Sequence, residues 1–306
     1  MEKRLTRSDT VFLLLFIFML ICAIGAFFYG VQVGTNRTEA KHADAVKAQE
    51  EASKTFTAYH QTYLVSFYHT IYLPNRDFQS AWFKAMNDLQ TGKGTSDPAA
   101  TIKDLGKLAE DKYDAVANQS MPESSPLLKE AHENVLKSLK LFSQAAKSFQ
   151  SKANALKGNV LMDELGKDAN FAEAKNYALL AQKGFYDSIV KWNESFTLDL
   201  KGLDLLASDK LSLADWGKLN LNLKNAYLAQ LLVKDKQFQP FTPQDLAERI
   251  DETIKSDQAK KMNADSVPQL AELLIGTGAV RSGDFLNGKA KYYTDEPLPQ
   301  LPFFTN

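Results

Sequence analysis

The segment LLKEAHENVLKSLKLFSQAAKSFQSKANAL, residues 127–156, carries two rows of side chains that each repeat every seven positions. The first row consists of Leu128, Val135, Phe142, Phe149 and Leu156, and the second consists of His132, Leu139, Ala146 and Ala153. Two such rows, offset by four positions, predict one long helix with a coiled-coil-like seam. We expect this seam to pack inside its own helical bundle, and pairing with a second chain is the alternative.

The remainder of the chain is also typical of a helical protein. Its 306 residues include only 15 glycines and 10 prolines, and Ala, Leu, Lys and Gln, which favour helices, are abundant. Asp97, Ser125 and Thr242 are each followed directly by proline, as at the start of many helices. The sequence therefore predicts an all-α, elongated bundle over residues 35–275, followed by a loop and a proline-rich extended tail over residues 276–306.

An uncharged hydrophobic run, residues 11–34, lies near the N-terminus. At about 1.5 Å per residue a helix of this length crosses the ~30 Å hydrocarbon layer of a bilayer. Lys3, Arg4 and Arg7 precede the run, which favours a cytoplasmic N-terminus. A cleaved signal peptide would have a shorter apolar core. We therefore expect an uncleaved signal-anchor, a single-pass protein integral to the cell membrane, with residues 1–10 in the cytoplasm and the bundle outside.

Four small residues in this run recur every four positions, namely Cys22, Ala26, Gly30 and Gly34. They share one helix face, on which a second helix can approach closely, so this face is expected to pair two spans. The alternative is that small residues are simply common in membrane spans. Cys22 is also the only cysteine, which excludes a disulfide framework, and the bulky Ile21 before it disfavours a lipoprotein.

The segment YHQTYLVSFYHTIYL, residues 59–73, contains five aromatic residues and two histidines but no charge. We interpret it as the outer end of a long stalk helix, residues 38–73, that Pro74 stops. Hydrophobic side chains cover most of its circumference, which predicts a buried core helix rather than a second span. The alternative is that one side lines a ligand pocket, formed by Tyr59, Tyr63, Ser66, His69 and Thr70.

Motifs for catalysis and for cofactor binding are absent from the sequence. The four histidines never occur at the spacing of a zinc site, and neither a P-loop nor a nucleophile elbow is present. The 36 basic and 37 acidic residues are balanced, which argues against a nucleic-acid partner. We therefore expect no catalytic residues, no metal and no cofactor.

The leading functional hypothesis is a non-catalytic interaction or scaffold protein of the cell envelope. Its helix faces and its tail would hold a protein partner or a second copy of the chain. One alternative is a bundle that binds a small molecule or a peptide. The other is an envelope hydrolase, which would need two facing carboxylates in a cleft, one of them with a raised pKa.

Overall fold

The computed structural model of the chain describes residues 58–93, 97–156, 158–197, 200–294 and 296–305. All regular structure in these ranges is helical. The one β-type contact described is an isolated bridge between Ser212 and Ser266. The predicted all-α class is therefore confirmed for the described part of the chain, which belongs to one compact unit.

The predicted membrane anchor lies outside the described residues. Its small-residue face, formed by Cys22, Ala26, Gly30 and Gly34, precedes Ala58, where the described chain begins. Among the described helices, none combines the length and the hydropathy that a bilayer crossing requires. The anchor, its pairing face and the orientation of the protein therefore stay predictions.

The helices are numbered here in chain order. They are α1 (Gln61–Phe67), a π-helical turn (Tyr68–Tyr72), α2 (Leu73–Thr91), α3 (Pro98–Ala117), α4 (Pro126–Ala153), α5 (Gly158–Gly166), α6 (Ala169–Glu194), a 3-10 turn (Leu203–Ala207), α7 (Leu213–Trp216), α8 (Leu221–Lys234), α9 (Pro243–Lys255), α10 (Gln258–Lys261), α11 (Val267–Gly276), α12 (Asp284–Tyr292) and α13 (Pro302–Thr305).

The prediction of one continuous stalk helix over residues 38–73 is wrong for the part that the structure describes, which begins at residue 58. Residues 58–60 are not helical, and α1 begins at Gln61. The side chain of His60 caps this start, because its ring Nδ1 accepts a hydrogen bond from the Thr62 N–H at 3.2 Å. The hydrophobic pattern runs through His60 without a break, so periodicity does not show that a helix begins there. The start depends on a local hydrogen bond from the backbone to the histidine side chain.

Pro74 does not stop the helix that contains it. The chain continues from the π-helical turn directly into α2, which ends at Thr91. In the widened turn the Leu73 N–H donates to the Tyr68 carbonyl, five residues back. The wider turn makes room for the proline ring, which would otherwise clash with the carbonyl four residues earlier, so α1 and α2 stay in line.

Helix α4 lies between α3 and α6, its two main neighbours. Of the first seam row, Leu128, Val135, Phe142 and Phe149 are buried, and Leu156 is half-buried beyond the helix end. Ser138 donates to the Ala174 carbonyl of α6 at 2.8 Å, and the His132 ring lies 3.0 Å from the Val116 carbonyl of α3. The seam is thus covered by helices of the same chain.

Two glycines allow α3 and α6 to approach α4 closely. A Cβ atom on Gly106 of α3 would lie 3.0 Å from the Cβ of Ala146, and one on Gly184 of α6 would lie 3.1 Å from the Cβ of Ala131. Such distances are tighter than ordinary van der Waals contact, so the absence of a side chain at both positions sets the spacing of the three helices.

The C-terminal residues 276–306, which we expected to form a loop and an extended tail, contain the helices α12 and α13. The prediction is wrong because the tail has apolar partners. Phe304 is buried, and the Phe303 ring lies 5.2 Å from Tyr68 and 6.2 Å from Phe185. The tail therefore completes the core around the π-helical turn instead of extending away from the bundle.

Replacing Gly184 with leucine should destabilise the protein by about 1–3 kcal/mol, because the new side chain must push α6 away from Ala131. Urea unfolding of the full-length protein in mild detergent, followed by circular dichroism, measures the change. Gly166→Leu is the control, since nothing lies within 4 Å of a Cβ at that position, and it should change stability by less than about 0.5 kcal/mol. An equal loss of stability in both variants would contradict the close approach of α6 to α4 at Gly184.

Candidate functional site

The interpretation of residues 59–73 as a core segment is confirmed by their burial. Leu64, Phe67 and Ile71 are fully buried, and Tyr68 and Tyr72 nearly so. The Phe67 and Tyr72 rings lie 5.0 Å and 4.7 Å from the ring of Phe185 in α6. These aromatic side chains therefore hold α1, the π-helical turn and α6 together.

The five residues of the predicted ligand pocket do not line any of the cavities described below. Ser66 and His69 are exposed, and Tyr59, Tyr63 and Thr70 are half-buried. Thr70 donates to the Ser66 carbonyl of its own helix at 2.8 Å, and the Tyr59 hydroxyl accepts from a backbone N–H of α4 at 3.3 Å. These polar groups serve local structure.

Asp251 is the centre of a buried charge network that joins α7, α8, α9 and the residue after α12. Its Oδ1 accepts from Trp216 Nε1 at 2.7 Å, its Oδ2 accepts from the Tyr293 hydroxyl at 2.6 Å, and Lys224 Nζ donates to both oxygens at 2.9 Å. Lys224 Nζ also lies 5.1 Å from the centre of the Trp216 ring. Both charges are therefore compensated, as burial requires.

Tyr293 acts in this network as a donor. Burial, and then the charge of Asp251, raise the pKa of Tyr293 well above its usual value of 10.0. The phenol therefore stays protonated over the whole physiological range and keeps donating to the carboxylate. Tyr293 and Lys224 thus both donate to the buried carboxylate of Asp251, and we call this arrangement the clamp.

Glu248 lies about one turn before Asp251 on α9 and is only 5% exposed. It faces Gly288 of α12, where a Cβ atom would collide with the Glu248 carboxylate. Burial, and then the nearby carboxylates of Glu252 and Asp284, raise its pKa from 4.5 to about 7. Glu248 does not line any of the cavities described here, and neither does Glu296, whose pKa burial also raises.

The largest of these cavities, with a volume of about 640 Å³, is a groove between the ends of α8 and α11. Helix α8 ends at Lys234, and Lys236 then adopts a left-handed conformation with φ 52°. This turn brings the following residues back along the groove. The lining residues are Leu231, Leu232, Asp235, Gln237, Gln239, Ala271, Glu272, Ile275 and Gly276.

The floor and the rim of this groove differ in chemistry. The floor is formed by the apolar side chains of Leu231, Leu232, Ala271 and Ile275, of which only Ile275 is more than slightly exposed. The rim carries Asp235 and Glu272, both exposed, and neither carboxylate forms an ion pair with another described residue. A site with an apolar floor and unpaired carboxylates on its rim suits an apolar group that carries a positive charge.

Amide side chains form the inner end of the groove. Gln239 donates to Gln237 at 3.0 Å. Both line a smaller cavity of about 10 Å³ beneath the groove, together with Gln79 and Gln182. A cavity of this size holds about one water molecule. The inner end of the groove therefore offers hydrogen-bonding groups of both kinds, donors and acceptors.

Two other grooves have some of their charged residues paired within the chain. In one, of about 490 Å³, Arg76 donates to Gln79 at 3.0 Å and to the Pro240 carbonyl at 3.1 Å. In the other, of about 440 Å³, Glu110 accepts from Ser143 and pairs with Lys147. Among the described residues no cluster suits a metal ion. The α8–α11 groove has the largest volume of the four cavities and is the candidate functional site.

Replacing Lys224 with methionine should destabilise the protein by about 3–5 kcal/mol, because Asp251 would be left buried without its counter-charge. Lys234→Met is the matched control on the same helix. Lys234 pairs with Asp209 in solvent, and the loss of that pair should cost less than about 1 kcal/mol. Urea unfolding in mild detergent measures both values. A Lys224 variant as stable as the control would disprove the clamp.

Glu248 should make stability fall as pH rises. Its folded pKa of about 7 exceeds the ordinary 4.5, so between these values the folded protein holds a proton that the unfolded chain releases. The stabilisation is complete below pH 4.5, is lost towards pH 7 and stays lost above it. Glu248→Gln should therefore raise the free energy of unfolding at pH 8, by up to about 3 kcal/mol relative to its effect at pH 4.5.

The control for this pH dependence is Glu130→Gln on the exposed surface of α4. Thermal unfolding of the full-length protein across pH 4.5–8 compares the two variants. The Glu130 variant should follow the pH profile of the unsubstituted protein. A Glu248 variant that also follows that profile would show that folding does not raise the pKa of this carboxyl.

No protein-family model, no curated protein and no solved structure matches the chain.

Proposed function

We propose that the chain is a membrane-anchored, non-catalytic binding protein of the cell envelope, and that its α8–α11 groove holds a segment of a partner protein. The observation that carries this proposal is the apolar floor beneath two carboxylates that have no ion-pair partner among the described residues. The uncharged run at residues 11–34 supports the membrane anchor.

The expected partner segment has one or two large apolar side chains next to a lysine or an arginine. Burying an apolar side chain against Leu231 and Ile275 contributes about 1.5–3 kcal/mol. A pair between a partner cation and Asp235 or Glu272 at the exposed rim contributes less than about 1 kcal/mol. The floor therefore supplies most of the affinity, and the rim selects the sign of the partner's charge.

Gln237 and Gln239 add a means of holding the partner's backbone. A carboxamide both donates and accepts hydrogen bonds, as a peptide group does. When an extended peptide enters the groove, hydrogen bonds to these side chains can therefore replace the hydrogen bonds that its backbone makes to water. This feature favours a peptide segment over a purely hydrophobic small molecule, which would offer these amides no hydrogen bond beyond the one between them.

A photo-crosslinking residue in place of Gly276, which lines the groove, should capture a partner when the full-length protein is in its native membrane. The same residue in place of Glu130, exposed on α4, is the control. Adding Ile275→Arg should reduce capture at least tenfold, because it places a cation on the apolar floor. The captured peptides should contain an apolar residue beside a basic one.

Two results would contradict this function. Equal capture from positions 276 and 130 would mean that the groove is not a preferred contact. Capture of acidic peptides that is insensitive to Ile275→Arg would mean that the rim does not select the partner. If position 276 reacts only with a small molecule, the ligand-binding alternative replaces the partner protein.

A further inference from the structure

The groove of about 490 Å³ is lined by residues of α2 together with Pro240 and Ser282, and we call it the α2 groove. Its charged lining residues are Arg76 and Lys84, and no other described residue of the lining carries a charge. The α8–α11 groove has the opposite pattern, since its charged lining residues are the acids Asp235 and Glu272. The α2 groove therefore suits a negatively charged group.

Arg76 has no counter-charge among the described residues. Its guanidinium donates to two neutral oxygens, the side-chain carbonyl of Gln79 at 3.0 Å and the backbone carbonyl of Pro240 at 3.1 Å. These bonds use two of the five N–H donors that a guanidinium has. The neighbouring carboxylate of Asp77 pairs with Lys112 instead, at 3.0 Å. Because Arg76 is half-buried, water compensates its charge incompletely, and a bound anion would gain charge-assisted hydrogen bonds.

The loop that contributes Ser282 to the lining is held in place by Asp245 of α9. The Oδ1 atom of Asp245 accepts hydrogen bonds from the N–H groups of Gly283 and Phe285, at 3.0 Å and 3.2 Å. This carboxylate thus compensates backbone donors and forms no ion pair with Arg76 in the described structure. The wall beside Arg76 is therefore formed before any ligand arrives, which lowers the entropic cost of binding.

The lining also offers apolar surface and a second cation. Phe83 and Met86 line the groove, and the ring of Phe83 is stacked on that of Phe238 at 4.7 Å. The side chain of Lys84 is 81% exposed, and its described ion pair is with Asp88, one turn further along α2. Exposed pairs of this kind contribute little to stability. Lys84 can therefore turn towards a bound anion at small cost.

We propose that the α2 groove binds an acidic segment of a partner protein. A glutamate or aspartate of that segment accepts hydrogen bonds from the guanidinium of Arg76, and an adjacent apolar side chain packs on Phe83 and Met86. Carboxylates and guanidinium groups form strong, charge-assisted hydrogen bonds. A free phosphate ion would use the cations but leave the apolar surface uncovered, so the combined lining favours a peptide.

This binding site goes beyond the proposed function, which assigns the α8–α11 groove alone. The two grooves share no described lining residue, although Gln239 of one and Pro240 of the other are consecutive in the chain. Each groove can therefore be altered without the other, and either proposal can fail by itself.

The test measures peptide binding to the full-length protein in non-ionic detergent, by fluorescence anisotropy. The probe is a glycine-flanked Phe-Glu-Glu peptide that carries an uncharged dye, and the reference peptide has glutamine in place of both glutamates. The acidic peptide should bind at least tenfold more tightly than the reference peptide, because only the acidic peptide offers carboxylates to Arg76 and Lys84.

The variant Ser80→Glu should weaken binding of the acidic peptide at least tenfold. Ser80 is exposed and lines the groove. It lies four residues after Arg76 and four before Lys84, so a glutamate there can pair with both cations and take the place of the ligand. Ser151→Glu, at an exposed position of α4 outside the described cavities, is the matched control and should change the affinity less than twofold.

Equal affinities for the acidic and the glutamine peptide would overturn the proposal, and so would equal binding by the Ser80 and Ser151 variants. Inorganic phosphate that displaces the peptide at an equal concentration would also overturn it, in favour of a phosphate-bearing ligand. Ile275→Arg should leave the affinity for the acidic peptide unchanged, whereas a change would place this peptide in the α8–α11 groove and contradict the α2 site. Failure of capture from position 276, with binding of the acidic peptide intact, would refute the proposed function alone.

Discussion

The buried carboxylate of Asp251 is the constraint on which the C-terminal part of the bundle depends. A charge that is only 5% exposed must have its donors in place whenever the protein is folded. Those donors come from α7, from α8 and from the residue after α12, in the side chains of Trp216, Lys224 and Tyr293. Because α8 also packs along α6, the same ion pair connects this assembly to the central helices and fixes the wall of the groove.

Much of the fold follows from local sequence. The heptad rows correctly indicate the buried side of α4, since a helix buries whichever side repeats. The dipeptides at Asp97, Ser125 and Thr242 correctly indicate where α3, α4 and α9 begin, because capping and a first-turn proline act within a few residues. Pro74 misled the same reasoning, since the π-helical turn that accommodates it is stabilised by tertiary packing of aromatic rings.

The Asp251 network and the α8–α11 groove could not be predicted from the sequence, for a different reason. The partners of Asp251 are far apart along the chain, and no spacing rule connects Trp216, Lys224 and Tyr293. The groove likewise combines the end of α8 with the end of α11. The sequence placed Ser66 and His69 on one side of their helix as part of a possible pocket, and both are exposed. It shows which residues share a face, but whether a neighbour covers that face is a property of the assembled bundle.

The groove combines a rigid floor with a more adaptable inner end, a combination that suits the peptide binding proposed above. Leu231 and Leu232 belong to α8, whose first half is fixed through Lys224, so the floor loses little freedom when an occupant arrives. Gln237 and Gln239 lie beyond the helix, after the left-handed Lys236, and are only half-buried. The loss of conformational entropy on binding would therefore come mainly from these two side chains. If the proposed function holds, such a floor would set a common affinity for apolar anchors, and the adjustable inner end would accept more than one backbone around them.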